Sequence, residues 1–217
     1  MATPKFTDDN IDTLYDAKYL RLYDLKYDDN KHYFDVSRRP KKNLVAAKPD
    51  SEFQSMLPDA VTIAVTVKTP DKPERLLLNY EFRYPTGHFI LSPIAGLIDE
   101  KDKTGENPLI EAAKREIFEE CGLTVKDSDV IKVINPCAFS SPGMTDESNA
   151  FLYARITTDD ESAITQAGAE GTELFGGYEL VDRQEAKKLF DTGRDKNGNF
   201  YSIATWVVLA YFLMEKE

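Results

Sequence analysis

Hydrophobic and polar positions change period along this 217-residue chain, and each change predicts an element. Residues 18–27 (KYLRLYDLKY) and 32–38 (HYFDVSR) are aromatic-rich runs with partial alternation, separated by the turn-forming DDNK, and they predict a β-hairpin. The stretch RRPKKN ends it. An isolated hairpin is marginal in water, so this one is expected at the edge of the main sheet or as an arm packed on another subunit. The β-branched run 61–67 (VTIAVTV) and the segment 75–84 (RLLLNYEFRY), joined across TPDKPE, predict neighbouring strands of a central sheet. GHFILSPIAGLIDE adds a short strand ending at Gly96.

The period then becomes helical. NPLIEAAKREIFEECG places Asn107 as N-cap, Pro108 at the first helical position and Gly122 just past the end. Leu109, Ala113 and Ile117 supply its buried stripe. Strand patterns resume at VIKVINPCAF (130–139) and NAFLYARI (149–156). An acidic loop from Thr157 to Glu173 leads to a strand over Tyr178 to Val181, a helix starting near Gln184 and a buried carboxyl-terminal helix, SIATWVVLAYFLM (202–214). No internal repeat or low-complexity segment occurs. The mixture reads as α+β, or an αβα sandwich around a mixed sheet. Residues 1–50 form the arm and 51–217 the main domain.

Composition narrows the function. The chain carries 38 acidic against 27 basic side chains, a net charge of −11, which argues against nonspecific nucleic-acid binding and against a polybasic membrane contact. An acidic protein still handles phosphates where local cations or bound metals bring them in. Cys121 and Cys137 are too few for a disulfide framework and lack zinc spacing, so both are expected as buried thiols in a reducing compartment. MATPKFTDDNIDTLYD lacks a charged region followed by an apolar one, so no secretory signal is expected. The longest apolar run falls short of the roughly 20 residues of a membrane span. The expected address is the cytoplasm.

The chemistry concentrates in Arg115-Glu116-Ile117-Phe118-Glu119-Glu120-Cys121-Gly122. Glu116, Glu119 and Glu120 stand at i, i+3 and i+4 on one helix face, where like charges repel and the helix dipole also disfavours anions. A solvated acidic face, with Glu111 and Glu119 each paired to Arg115, is the plain reading of such a cluster. A cluster of hard-cation ligands is the functional one, because Mg²⁺ prefers carboxylate oxygens. The glycine loop GLIDE and the preceding strand place this face at a sheet edge and favour the second.

GLIDE, an acidic linker and AAKREIFEECGL resemble the box of the Nudix hydrolase family: Gly, five residues, Glu, seven residues, then Arg-Glu-hydrophobic-any-Glu-Glu-any-Gly-hydrophobic. Arg115 through Leu123 match every specified position. Arg115 lies 19 residues after Gly96 where the pattern has 14, so the linker is five residues longer. Glu106 and Asp102 are the candidates for the box's first Glu. SPIAGLID and SSPGMTDES (140–148) are similar to the ADP-ribose pyrophosphatase branch, as is the amino-terminal hairpin, which in that branch helps build a domain-swapped homodimer.

The resemblance implies a Nudix αβα sandwich with an antiparallel hairpin arm, and Mg²⁺-dependent hydrolysis of a nucleoside diphosphate linked to another moiety, with Mn²⁺ able to substitute. ADP-ribose, giving AMP and ribose 5-phosphate, leads. A UDP-sugar or other nucleotide-sugar diphosphatase is the enzymatic alternative, and a non-catalytic nucleotide sensor the remaining one. Glu116, Glu119 and Glu120 would bind the metal, with the backbone carbonyl of Ala95. Arg115 would orient them. Glu147 and Glu173 are the candidate general bases, each on a loop. Arg83 would grip a substrate phosphate, with Arg39 as second candidate. Phe34 would stack a base from the partner subunit or serve as hairpin core. Pro142 and Gly143 would shape their loop.

Overall fold

The computed structural model describes residues 3–168 and 173–215, which divide into two compact units, 3–59 with 137–149 and 60–136 with 150–168 and 173–215.

The first unit holds a three-stranded antiparallel sheet in the order β1 (Ile11–Asp16), β2 (Arg21–Asp28), β3 (Lys31–Ser37). The expected hairpin is β2–β3, turning through Asn30 at φ 56, a left-handed conformation that asparagine tolerates. Strand β1 escapes a reading by periodicity because only Ile11 of its six residues is buried. Ile11, Tyr23, Leu25 and Leu44 form a small core. A single helical turn, α1 (Asp50–Phe53), brings Phe53 to stack on Phe139 at 5.9 Å.

The larger sheet is mixed, with seven strands. Its path runs β10 (Phe175–Val181), β5 (Lys72–Arg83), β4 (Ala60–Thr69), β9 (Ser148–Thr157), β8 (Val130–Phe139). One expected strand proves to be two: β6 (His88–Ser92) pairs with β5, and β7 (Ile94–Leu97) pairs with β4. The break falls at Pro93, which has no N–H to give a ladder.

Alternation along β4 sends Val61, Ile63, Val65 and Val67 to one face and Ala64 to the other. Helix α2 (Pro108–Cys121) covers the first face with Leu109, Ala113 and Ile117, the expected stripe. Helices α3 (Arg183–Thr192) and α4 (Ile203–Met214) cover the second with Ala186, Leu189, Val208, Leu209 and Phe212. The result is the expected α+β sandwich. Asn107 caps α2 by accepting from the amides of Leu109 and Ile110, and Gly122 ends it at φ 70. Cys121 is buried as expected, whereas Cys137, on β8, is only half-buried; neither is in a disulfide. Among the described residues no helix is long and apolar enough to cross a membrane.

Candidate active site

The last turns of α2 aim two carboxylates at the sheet. Glu116 and Glu120, at i and i+4, are 5% and 3% exposed, while Phe118 between them faces solvent. The plain reading of a solvated acidic face therefore fails for these two. Glu119, on the flank, is ion-paired to Arg115 at 2.8 Å, and Glu111 turns to Lys114 at 3.3 Å rather than to Arg115.

Each oxygen of Glu120 accepts one N–H. The Ala95 amide donates to Oε1 at 3.0 Å and Asn79 Nδ2 donates to Oε2 at 2.7 Å. Ala95 lies on β7, and the N–H and C=O of one strand residue leave the chain on the same side. Its carbonyl thus opens toward α2 as well. Burial pushes the Glu120 carboxyl well above the ordinary carboxylate range, against the pull of these two donors. Burial also lifts Glu116 to about 7, against the attraction of Arg115.

Arg115 organises the rest. Its Nη1 donates to Glu116 at 2.6 Å and to Glu119 at 2.8 Å, and its Nη2 donates to the Leu97 carbonyl at 2.7 Å and to Asp102 at 2.9 Å. Asp102 sits in a 3₁₀ turn, Asp102–Thr104, inside the lengthened linker and is 4% exposed; Glu106 is exposed. Of the two candidates for the box's first Glu, Asp102 is the one that reaches the cluster. Burial works against its charge, yet the hydrogen bond from Arg115 holds its carboxyl below the ordinary value.

From the sheet side come Glu81 and Arg83 at the end of β5, joined at 2.5 Å. Burial raises the Glu81 carboxyl, and the charge of Glu173 raises both Glu81 and Glu116. Glu173 therefore shares the electrostatic environment of Glu81 and Glu116. The chain on both sides of it is bound nearby: before it, Gln166 Nε2 donates to Asn79 Oδ1 at 3.0 Å, and after it, the Leu174 carbonyl accepts from the Phe82 amide at 2.8 Å. Residues 169–172 of the acidic loop lie outside the described residues.

The remaining candidates belong to the first unit. Glu147 accepts from Arg38 Nε at 2.7 Å. Arg39 is half-buried, with Nη2 at 2.8 Å from Asp59 and 3.2 Å from the Ser148 hydroxyl. Phe34 is exposed on β3, so it is not core of its own sheet. Gly143 turns its carbonyl to the Tyr33 hydroxyl at 2.7 Å, in keeping with a loop-shaping role.

Sequence reasoning passed over Asn79, Gln166 and Glu81. A signal existed for the first: Asn79 interrupts the apolar run LLLNY at a position that is fully buried, and a buried amide needs partners. Nothing in the acidic loop marks Gln166.

The donor set suits a hard divalent cation. Glu81, Glu116, Glu119, Glu120 and Glu173 supply five carboxylates, and Arg83, Arg115 and Lys101 are cations paired with members of the set. Gly96 adds the close approach, since its backbone runs against the Glu116 carboxylate where any side chain would intrude. Among the described residues no three acidic, histidine or cysteine side chains are already gathered as a metal shell; Arg115 occupies oxygens of Glu116 and Glu119.

The NUDIX domain family model matches residues 56–202. None of the curated proteins compared matches the chain. Among solved structures, the fold is similar to one described as an ADP compounds hydrolase, at 18% identity and a TM-score of 0.58, covering 98% of this chain and 96% of that one. A C. elegans Ap4A hydrolase binary complex is more distant, at 18% identity and a TM-score of 0.43, covering 70% of this chain and 94% of that one.

Proposed function

The chain belongs to the Nudix family, as a pyrophosphohydrolase, and we propose that it cleaves the diphosphate of a nucleoside diphosphate linked to another moiety, ADP-ribose giving AMP and ribose 5-phosphate foremost. One observation carries this reading: the intact Arg-Glu-x-x-Glu-Glu helix end delivers two buried carboxylates, Glu116 and Glu120, to the strand residues Ala95 and Gly96. A sensor has no use for buried like charges that cost stability. The likeness over nearly the whole chain to a fold described as an ADP compounds hydrolase supports the choice of substrate class.

Glu116, Glu119, Glu120 and the Ala95 carbonyl would hold Mg²⁺, with Mn²⁺ able to replace it; bound there, such a cation neutralises the diphosphate and lowers the pKa of an attacking water. Arg115 fixes the rotamers of Glu116 and Glu119 with one nitrogen and is itself anchored by Asp102. Arg83 offers a forked guanidinium, 45% exposed, to a substrate phosphate. Glu173 is read as the general base, supported by its electrostatic contact with Glu116 and Glu81; Glu147 is already committed to Arg38. Arg39, neutralised by Asp59, is read as a structural cation. The exposed aromatic positions Tyr15, Tyr33 and Phe34 of the small sheet support a homodimer through the arm.

The test is incubation of the purified protein and Mg²⁺ with ADP-ribose, UDP-glucose, NADH and diadenosine polyphosphates, with released mononucleotide measured. AMP from ADP-ribose at the highest kcat/KM supports the reading. Preference for UDP-glucose establishes the nucleotide-sugar alternative, and no release with tight ADP-ribose binding establishes the sensor.

A further inference from the structure

We propose that Gln166 is a positioning residue for Glu120, acting through the amide of Asn79. The inference rests on the reading of Glu120 as a metal ligand.

Four groups form a chain whose polarity is set at one end. Gly177, at the irregularity in β10, presents a backbone carbonyl, which can only accept. Gln166 Nε2 donates to it at 3.2 Å. That contact decides which way the Gln166 amide faces, and the same NH₂ donates to Asn79 Oδ1 at 3.0 Å. With its oxygen taken, Asn79 must turn its NH₂ the other way, where Nδ2 meets Glu120 Oε2 at 2.7 Å. An asparagine amide has two faces of nearly equal shape, and only its hydrogen-bond partners choose between them. Flipped, Asn79 would set an oxygen against a carboxylate oxygen inside the protein, with both acceptors unsatisfied.

Glu120 is then held by one N–H on each oxygen, from Ala95 and Asn79, and its orientation is fixed while lone pairs remain for a cation. Gln166 is well placed to carry this, because its segment lies tightly on the end of α2. Ile164 packs in the α2 core, the Thr165 amide donates to the Cys121 carbonyl at 3.1 Å, and a Cβ on Gly168 would fall 2.3 Å from the Glu119 carbonyl oxygen. The acidic loop thus reaches the metal-binding helix twice, once along its backbone and once through the Gln166–Asn79 chain.

The experiment is a double-mutant cycle read by Mn²⁺ binding to the substrate-free protein, measured by electron paramagnetic resonance, with kcat and KM alongside. Gln166→Leu, at a part-exposed position, is expected to raise the Mn²⁺ dissociation constant about tenfold, and Asn79→Ala at least as much. The double variant is expected to stay within about twofold of Asn79→Ala, because Gln166 has nothing to act through once Asn79 is gone. Substrate KM at saturating metal should hold. A Gln166→Leu protein with wild-type Mn²⁺ affinity, or losses that multiply in the double variant, overturns the proposal. Circular dichroism checks each fold; if Asn79→Ala is unfolded, Gln166→Leu alone decides. A wild-type protein that hydrolyses no substrate yet shows the expected Mn²⁺ cycle would sink the hydrolase reading and leave this one standing. Failure of the wild type to bind Mn²⁺ would end both.

Discussion

Gly96 lies so close to Glu116 that a Cβ built on it would fall 2.0 Å from the carboxyl carbon and from Oε1. The atoms in the way are the far end of a flexible side chain, so an added methyl would turn the carboxylate aside rather than break the sheet. Gly96→Ala is therefore expected to cost about 1 kcal/mol of stability or less. Turnover should fall more than about 100-fold, because a displaced ligand loses the metal. Thermal unfolding and steady-state kinetics on one preparation check the pair; activity lost in step with stability would refute the explanation.

Glu120→Gln removes the charge and also inverts a polarity. Both carboxylate oxygens accept an N–H, so the NH₂ of a glutamine must face either the Ala95 amide or Asn79 Nδ2, donor against donor. Turnover is expected to fall more than about 100-fold. Stability should fall by about 1–3 kcal/mol through the unpaired buried donor. Circular dichroism should be unchanged. Near wild-type activity would remove Glu120 from the site.

How much of this was legible in the sequence follows from what each residue's partners are. Helix α2 is written locally, with Asn107, Pro108 and Gly122 at its ends and an apolar stripe between them, and it forms as read. Strand β1 carries almost no apolar period because five of its six residues are exposed, and the division of β6 from β7 depends on which neighbour each finds across Pro93. In the site, the glutamates announce themselves by spacing. Asn79 and Gln166 do not, because their roles exist only once residues 41 and 87 positions away along the chain meet them. Asp102 lay between: an acidic residue was expected from the box, and only the fold of the lengthened linker chose it over Glu106.

Asp102→Ala should separate anchoring from chemistry. Asp102 and Arg115 form a pair largely withdrawn from water, at 2.9 Å, and removing one partner leaves the other charge uncompensated. A loss of about 3 kcal/mol in urea unfolding is expected, with Asp102→Asn milder because it keeps a hydrogen-bond acceptor. Arg115 would still hold Glu116 and Glu119 in both variants, so kcat should fall less than in Glu120→Gln. A larger fall would mean that Asp102 acts on the substrate directly.

Burial raises the Glu116 carboxyl to about 7, and burial with the nearby Asp146 charge raises Asp35 to about 6, both above the values they return to on unfolding. Between the unfolded and folded values the native protein binds more protons than the unfolded chain. This contribution to stability is present in full below the unfolded pKa and is lost as pH rises through about 7 for Glu116. The metal-free protein is thus expected to lose stability on the order of 2 kcal/mol as pH rises from mildly acidic to neutral. A divalent cation competes with the same proton. Below the raised pKa of Glu116, Mg²⁺ affinity should fall by up to about tenfold per pH unit for each ligand carboxyl that must lose a proton, the buried Glu120 among them. The thermal shift produced by a fixed Mg²⁺ concentration should therefore grow from pH 6 to pH 8, and Glu116→Gln should flatten the profile. A Mg²⁺ shift independent of pH in the wild type would show that Glu116 is not among the groups a cation must deprotonate.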